Sequence, residues 1–330
     1  MFKALIVDRN EDKSVSVTLE DVNEDRLPQD GEVDIAVEYS TVNYKDGLCL
    51  AGLGGLVRNY PHVPGVDFAG EVQCSRDDRY KPGDKVIMHG WRGGEARWGG
   101  YAQKANEKAD WLVPLPAGLT TREAMCIGTA GFTAMQAIMR LESAGMHPDQ
   151  GEVLVTGAGG GVGSVATIIL ARRGYQVAAV TGRPEIGDYL TGLGASRIVT
   201  REEMNDDTGR VLESSQWAGC IDSVGGQILA RVLKQLNYGA SVAAVGNAAG
   251  AEFTATVIPF LLRGINILGI DSVACPYDER VKIWAALASE MPKDILASIS
   301  SEIGLADLPS AGKQILDGQI RGRLLVDING

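Results

Sequence analysis

Short apolar runs separated by turn residues fill the first third of the chain. Their lengths and their flanking Gly, Pro and Asp residues are typical of β-strands. The predicted strands are residues 3–8, 15–19, 32–39, 68–73 and 86–88. The last of them follows the turn Lys81-Pro82-Gly83-Asp84-Lys85. This pattern predicts a β-rich domain at the start of the chain.

A proline-rich segment, residues 113–118, ends the β-rich part. Its two prolines exclude a helix interior and a central strand, because proline lacks the backbone N–H that both need. Thr120 and Glu123 then have the spacing of a helix-capping box. We therefore place a domain boundary here, followed by a helix.

From about Gly151 onward, apolar runs alternate with helical patterns. The predicted strands are residues 153–155, 176–180, 198–200, 220–222, 241–245 and 265–270, and the predicted helices include 164–170 and 227–236. Such alternation is typical of a parallel sheet covered by helices. After Pro276 the chain has two helical stretches and a last strand, residues 323–328, which we expect to return to the first domain.

A glycine run, residues 157–163, joins the strand 153–155 to the helix 164–170. Its glycines follow the spacing G-x-x-G-x-x-G rather than G-x-G-x-x-G. A turn of this kind brings the backbone close to a pyrophosphate, whose charge the helix N-terminus stabilises. Glycine runs also occur in ordinary surface loops, but a strand before and a helix after the run favour a dinucleotide site.

The next strand ends in Thr181-Gly182-Arg183. Sites that bind NAD have an acidic residue about 20 residues past the glycine turn, which binds the ribose 2′-hydroxyl. No carboxylate stands at that place, whereas Arg183 can pair with a 2′-phosphate. Arg201, after the strand 198–200, fits a second phosphate contact and a solvated loop charge equally well. The sequence therefore predicts NADPH as the cofactor.

The composition is that of a globular protein large enough for two domains: 330 residues, 45% hydrophobic and 22% charged, with a net charge of −11. The acidic surface argues against nucleic acids and anionic membranes as partners. No apolar run is long enough to span a bilayer, and the N-terminus does not resemble a signal peptide. The five cysteines are scattered, without a C-x-x-C motif, so we expect reduced thiols and a cytoplasmic protein.

Several segments together resemble the zinc-free medium-chain dehydrogenase/reductases of the quinone oxidoreductase-like group. They are residues 43–46, 64–70, 81–86, 98–102 and 128–134, the glycine turn, and the strand that begins with Gly322-Arg323. Within that group, residues 43–47, 128–135, 217–225 and 269–273 are similar to the NADPH-dependent acryloyl-CoA reductases.

The resemblance implies an α/β fold of two domains. Residues 1–122 and 300–330 would form a discontinuous, β-rich GroES-like catalytic domain. Residues 123–299 would form a Rossmann domain with a doubly wound parallel sheet that binds NADPH. The resemblance also implies a homodimer, in which edge strands such as residues 265–270 pair across a two-fold axis.

The zinc-dependent members of the superfamily hold zinc with a Cys and a His that this chain lacks. The corresponding segments read Gly65-Val66-Asp67 and Asn43-Tyr44-Lys45-Asp46. His62, His89 and His147 have no ligand-type spacing to a cysteine, so we expect no metal. Without a Lewis acid, reducing an activated double bond is easier than oxidising an alcohol, because a few hydrogen-bond donors can stabilise the charge on the carbonyl oxygen. The reaction class expected from the residues is therefore conjugate reduction, with hydride added to the β-carbon. The resemblance implies acryloyl-CoA as the substrate and propanoyl-CoA as the product.

The resemblance also assigns site residues. Tyr44 and Thr129 are the expected catalytic residues, and Tyr44 would contact the nicotinamide or donate a proton; a core tyrosine is the alternative. The expected cofactor contacts are Tyr44, Gly160, Gly161, Val162, Gly163, Thr181, Gly182, Arg183, Arg201, Asn247 and Ser272. The expected substrate contacts are Arg323 and Trp98, with Arg58, Arg92 and Arg97 as further basic residues for the CoA phosphates, and surface charges or packing as the alternatives.

Two other functions stay open at this point. A quinone or general enone reductase of the same family would not need basic residues around its pocket. A non-catalytic NADPH-binding protein, such as a redox sensor, would need the cofactor site but not Tyr44.

Overall fold

The computed structural model describes residues 1–206 and 208–330. These residues form two compact units. The first unit comprises Met1–Thr129 and Ser272–Gly330, and the second comprises Ala130–Asp271. The first unit is therefore built from two separate stretches of the chain.

The first unit is mainly antiparallel sheet. Its strands are β1 (Phe2–Arg9), β2 (Val15–Val22), β3 (Val33–Thr41), β4 (Asp67–Ser75), β5 (Lys85–His89), β6 (Lys104–Glu107), β7 (Leu112–Pro114), β14 (Ser300–Gly304) and β15 (Arg323–Asp327). The strands β1 and β2 form a hairpin, and the larger sheet has the order β14-β15-β3-β4-β5-β7, with β6 also paired to β3. The predicted return of the terminal strand is confirmed, because β15 pairs antiparallel with β3.

The helices of the first unit follow β3 or lie in the C-terminal stretch of the chain. They are α1 (Tyr44–Leu50), α8 (Tyr277–Glu290), α9 (Lys293–Ser298) and α10 (Leu308–Leu316). Apolar side chains from β1, β3, β4 and β5 form its core together with residues of α10 and β15. The core thus joins the N-terminal strands to the C-terminal stretch.

The second unit is a parallel sheet between helices. Its strands are β8 (Glu152–Val155), β9 (Gln176–Thr181), β10 (Arg197–Thr200), β11 (Trp217–Asp222), β12 (Leu236–Ala244) and β13 (Asn266–Gly269). Its helices are α3 (Gly161–Arg172), α4 (Gly187–Gly192), α5 (Arg201–Asn205), α6 (Gly226–Gln235) and α7 (Ile258–Arg263). Every neighbouring pair in the order β10-β9-β8-β11-β12-β13 is parallel, which confirms the predicted doubly wound sheet.

One helix, α2 (Thr121–Ser143), contains the first boundary between the units. The predicted capping box opens it, since Glu123 N donates to Thr120 Oγ1 (3.1 Å) and Thr120 N donates to Glu123 Oε2 (2.8 Å). The helix is interrupted at Gly128, whose φ of 54° and ψ of −164° are not helical. Glycine tolerates such a positive φ at little cost, which is why the break falls there.

The second boundary differs from the expected one. We assigned residues up to 299 to the second domain, whereas the chain enters the first unit at Ser272. The reason is the packing of α8. Trp284 Nε1 of this helix donates to His89 Nε2 (2.9 Å), and Arg280 Nη1 donates to the His89 carbonyl (2.9 Å). These hydrogen bonds hold α8 against the last residue of β5.

Candidate functional site

The glycine turn of the second unit connects β8 to α3. Gly157 has a φ of 61°, and Gly160 is the extended N-cap of α3. A Cβ atom on Gly163 would lie 2.5 Å from the Ala158 Cα and would also meet the Gly157 carbonyl. Only glycine at this position lets the first turn of α3 pack directly on the loop, as in dinucleotide-binding turns.

The backbone N–H groups at the start of α3 are the polar groups of this turn. Gly160 N donates to the Gly157 carbonyl (3.0 Å), and the first intrahelical bond runs from Ser164 N to the Gly160 carbonyl (2.9 Å). The N–H groups of Gly161, Val162 and Gly163 precede that bond and have no intrahelical acceptor. They form, with the helix dipole, a site for a negatively charged group.

Two arginine side chains each lie directly against a glycine: Arg183 against Gly159 and Arg201 against Gly182. A Cβ atom on Gly159 would lie 3.1 Å from Nη2 of Arg183. A Cβ atom on Gly182 would lie 2.5 Å from Nε and 2.6 Å from Nη2 of Arg201. The absence of side chains at both glycines therefore makes the room that the two guanidinium groups occupy.

Strand register explains why Arg201 lies beside Gly182. Thr181, the last residue of β9, pairs with Thr200, the last residue of β10, in a parallel ladder. Gly182 and Arg201 follow these paired positions and consequently become neighbours. Thr181 Oγ1 also accepts from the Arg183 backbone N–H (3.0 Å), which fixes the turn after β9. Two positive charges thus stand at the carboxyl ends of adjacent strands, where the sequence lacks the carboxylate of an NAD site.

The other two expected cofactor residues lie in different units. Asn247 follows β12 in the second unit, where its side chain is exposed and its Cα would be 3.2 Å from a Cβ on Gly225. Ser272 belongs to the first unit, and its carbonyl accepts from Arg280 Nη2 (3.3 Å). Asn247 stands at the same edge of the parallel sheet as the glycine turn.

In the first unit, Tyr44 is the first residue of α1. Asn43 is the N-cap, and its backbone N–H donates to Asp46 Oδ2 (2.8 Å) in a capping box. Asp46 Oδ1 accepts from Val66 N (2.9 Å), which ties the helix to the segment before β4. The Tyr44 side chain is 40% exposed, and no described residue hydrogen-bonds its hydroxyl. The phenol is therefore available to a bound molecule rather than packed as a core tyrosine.

A buried carboxylate, Asp67, connects the two expected catalytic residues. Its Oδ2 accepts from the backbone N–H of Thr129 (2.7 Å) and from Asn43 Nδ2 (3.3 Å), and its Oδ1 accepts from Thr41 Oγ1 (2.6 Å). One carboxylate thus fixes the backbone at Thr129 and the N-cap before Tyr44. We do not identify Asp67 as a functional residue from the sequence. The feature that could have identified it is a carboxylate directly before the apolar run Phe68-Ala69.

Burial shifts the pKa values of Asp46 and Arg323 in this cluster. Burial, with the nearby Asp67 carboxylate as a smaller cause, raises the pKa of Asp46 to about 7. Burial lowers the pKa of Arg323, and the charge of Asp67 opposes that effect. Arg323 lies close to Asp67 at the helix break, because a Cβ on Gly128 would lie 2.5 Å from Arg323 Nη2 and 3.0 Å from Asp67 Oδ2.

The burial of Arg323 contradicts its expected role as a substrate contact. The side chain is only 2% exposed, and its Nε donates to the Cys126 carbonyl (3.1 Å). A guanidinium enclosed in this way cannot meet the phosphates of a large, solvated substrate. Arg323 instead offsets the buried carboxylates and holds the start of α2.

The remaining expected substrate residues have different surroundings. Trp98 is half-buried against the core of the first unit, in line with the packing alternative. Arg97 pairs with Asp30 and approaches Glu107 (3.7 Å), so its charge is matched within the unit. Arg58 and Arg92 are exposed.

In the parts of the chain that the structure describes, no group of three or more His, Cys, Asp or Glu side chains is placed to hold a metal ion. Within the same residues, no helix is long and apolar enough to cross a membrane.

The doubly wound sheet, its glycine turn and the β-rich unit define the class: a two-domain, dinucleotide-dependent oxidoreductase. Residues 29–117 match the family "Alcohol dehydrogenase GroES-like domain", and residues 161–289 match "Zinc-binding dehydrogenase". The chain belongs to the quinone oxidoreductase-like group of the medium-chain dehydrogenase/reductases, which confirms both the resemblance and the predicted fold.

Three relatives are similar along their whole length. The chain is 62% identical over 330 residues to acrylyl-CoA reductase AcuI from Ruegeria pomeroyi, with 100% of each chain covered. The yhdH oxidoreductase from Salmonella enterica, solved in complex with NADP, has a TM-score of 0.96 and 47% identity, over 98% of this chain and 99% of that one. The Bacillus subtilis protein yhfP, solved with NAD bound, has a TM-score of 0.94 and 47% identity over 99% of both chains.

Proposed function

We propose that this protein is an NADPH-dependent reductase that converts acryloyl-CoA to propanoyl-CoA. The observation that carries the substrate is the 62% identity, over the full length of both chains, to a protein named acrylyl-CoA reductase AcuI. The cofactor is supported by geometry. Arg183, after β9, lies beside Gly159 of the glycine turn, and Arg201, after β10, lies beside Gly182.

The residues of the second unit fit a phosphorylated dinucleotide. The N–H groups of residues 161–163 would hold the pyrophosphate, and Gly160 would allow its close approach. Thr181 and Gly182 would position Arg183 and Arg201 for the 2′-phosphate, with Asn247 nearer the nicotinamide. A relative with NAD bound has nearly the same fold, so the fold does not select the coenzyme. The two guanidinium groups are the feature of this chain that favours NADPH.

When bound, NADPH would supply a hydride to the β-carbon of the activated double bond. The protein must then stabilise charge on the thioester carbonyl oxygen and deliver a proton to the α-carbon. Tyr44 suits one of these roles because the residue is 40% exposed and its hydroxyl is not bonded to described residues. Thr129 is the second catalytic candidate. Asp67 serves as a positioning residue, since it fixes the backbone at Thr129 and, through Asn43, the start of α1.

The proposed assembly is a homodimer. The strand β13 lies at the open edge of the parallel sheet, where Ile267 is exposed. The adjacent α7 exposes Leu261 (72%) and Leu262 (62%), apolar side chains that a second copy would cover. We also propose a cytoplasmic protein, because Cys49, Cys74, Cys126 and Cys220 are free thiols.

The function is tested by following NADPH oxidation with acryloyl-CoA, crotonyl-CoA and a quinone in parallel. We expect acryloyl-CoA to be reduced with the highest kcat/KM. Tyr44→Phe should lower kcat about 100-fold if the phenol acts as a proton donor, whereas Tyr238→Phe, at a tyrosine that is 84% exposed in the second unit, should change nothing. Quinone turnover without thioester turnover would overturn the proposal in favour of a quinone reductase. Tight NADPH binding without any turnover would favour the non-catalytic alternative.

A further inference from the structure

The loop after β5 contains two consecutive residues in the left-handed backbone region. Trp91 has a φ of 52° and Arg92 a φ of 61°. Residues other than glycine and asparagine rarely adopt this conformation, and a bulky tryptophan does so at a cost. Such strain persists only where surrounding contacts hold the backbone, and it is common at functional sites.

Three contacts of Trp91 hold this backbone. Its ring stacks on Trp111, with 6.0 Å between ring centroids and 9° between planes, and the Arg280 guanidinium lies 5.2 Å from its ring centroid. The Trp91 backbone N–H donates to the Val273 carbonyl (2.9 Å). With Trp91 fixed, Arg92 is held in one backbone conformation, and its side chain stays 48% exposed.

Arg92 shares a buried carboxylate with Lys45. Glu95 is only 7% exposed; its Oε1 lies 3.0 Å from Lys45 Nζ, and its Oε2 lies 3.8 Å from Arg92 Nε. Lys45 is 43% exposed and directly follows Tyr44 in α1. One negative charge cannot neutralise two positive ones, so a net positive charge remains beside the candidate catalytic tyrosine.

We propose that Lys45 and Arg92 form the subsite for a phosphate group of the acyl-CoA substrate, with Glu95 as the residue that positions both cations. Arginine offers a planar pair of donors to a phosphate, and lysine adds a point charge, so the two together suit a phosphate ester or diphosphate. The glycine turn and its arginines supply a separate phosphate site in the second unit. The inference rests on the proposed function and names the residues that would select a CoA thioester over a small enone.

The test compares substrates with and without phosphate groups. Arg92→Asn removes the charge but keeps a residue that tolerates a positive φ, and Lys45→Gln keeps a good helix former. Arg26→Asn is the matched control, because Arg26 is a half-exposed arginine of the same unit that pairs with Glu20. Each variant is assayed with acryloyl-CoA and with S-acryloyl-N-acetylcysteamine, which carries no phosphate. Calorimetry measures the Kd for propanoyl-CoA, and thermal melting verifies the fold.

We expect each substitution to raise the KM for acryloyl-CoA and the Kd for propanoyl-CoA roughly 3- to 10-fold, and the double variant to raise them further. The kcat, the KM for the truncated thioester and the KM for NADPH should not change. Equal effects on both thioesters, an effect on the KM for NADPH instead, or no effect at all would overturn the inference. If the wild type does not reduce acryloyl-CoA, the proposed function fails, and the Kd for propanoyl-CoA still decides whether Lys45 and Arg92 bind its phosphates.

Discussion

Replacing Gly182 with alanine tests whether Arg201 lies where a 2′-phosphate would bind. The added methyl group would lie 2.5 Å from Nε and 2.6 Å from Nη2 of Arg201, so the guanidinium would have to leave its place above Gly182. Gly182 does not have a positive φ, so its backbone accepts alanine. The atoms that must move are the far end of a long side chain, so we expect the variant to fold.

The expected magnitude follows from the interaction that is displaced. A charge-assisted hydrogen bond contributes about 1.5–3 kcal/mol, and a tenfold change in affinity corresponds to about 1.4 kcal/mol. Displacing the guanidinium without removing it should cost the lower part of this range. We therefore expect the KM for NADPH to rise about tenfold, with little change in kcat or in the KM for NADH. Initial rates with both coenzymes at saturating thioester measure this directly.

Two controls make the prediction specific. Gly187→Ala places a methyl group in α4 with no atom within 4 Å, so it should leave both coenzyme KM values unchanged. In an Arg201→Ala background, Gly182→Ala should add nothing, because the two changes act through one side chain. An additive loss in that background, or an equal loss with NADH, would refute the assignment of Arg201 to the 2′-phosphate.

Three further predictions concern stability and assembly. Gly128→Ala should lower the free energy of unfolding in urea by about 2 kcal/mol or more, because a left-handed backbone and a methyl group 2.5 Å from Arg323 Nη2 both oppose it; an unchanged midpoint would show that the break in α2 is not constrained. Burial raises the pKa of Asp46 to about 7, so the folded state binds this proton more tightly than the unfolded state does. The free energy of unfolding of the wild type should therefore decrease as the pH rises from about 4 to about 7. Asp46→Asn should remove that part of the pH dependence, and parallel curves for the two proteins would contradict the assignment. Leu261→Glu should convert a dimer into a 35.0 kDa monomer in light scattering; an unchanged mass would place the interface elsewhere.

Local sequence patterns determined most of the secondary structure and the position of the dinucleotide-binding turn. Apolar alternation and turn residues predicted β1 to β5 and β15 of the first unit, but not β6, β7 or β14. A strand, a glycine run and a helix in succession predicted the dinucleotide-binding turn. These features depend on residues close together in the chain, since backbone conformation and amphipathic periodicity are set locally. The choice of NADPH also began with one local fact, the arginine in place of a carboxylate after β9.

Only the tertiary structure decided which charged side chains lie close together and which of them are buried. Arg201 reaches Gly182 only through the parallel register of β9 and β10, and Arg323 is buried rather than exposed because β15 returns to pair with β3. The pairing of Lys45 with Glu95 likewise joins segments that are distant in the chain. Sequence spacing cannot supply such information, because burial and the approach of distant side chains arise when the sheets assemble and set the surroundings of each charge.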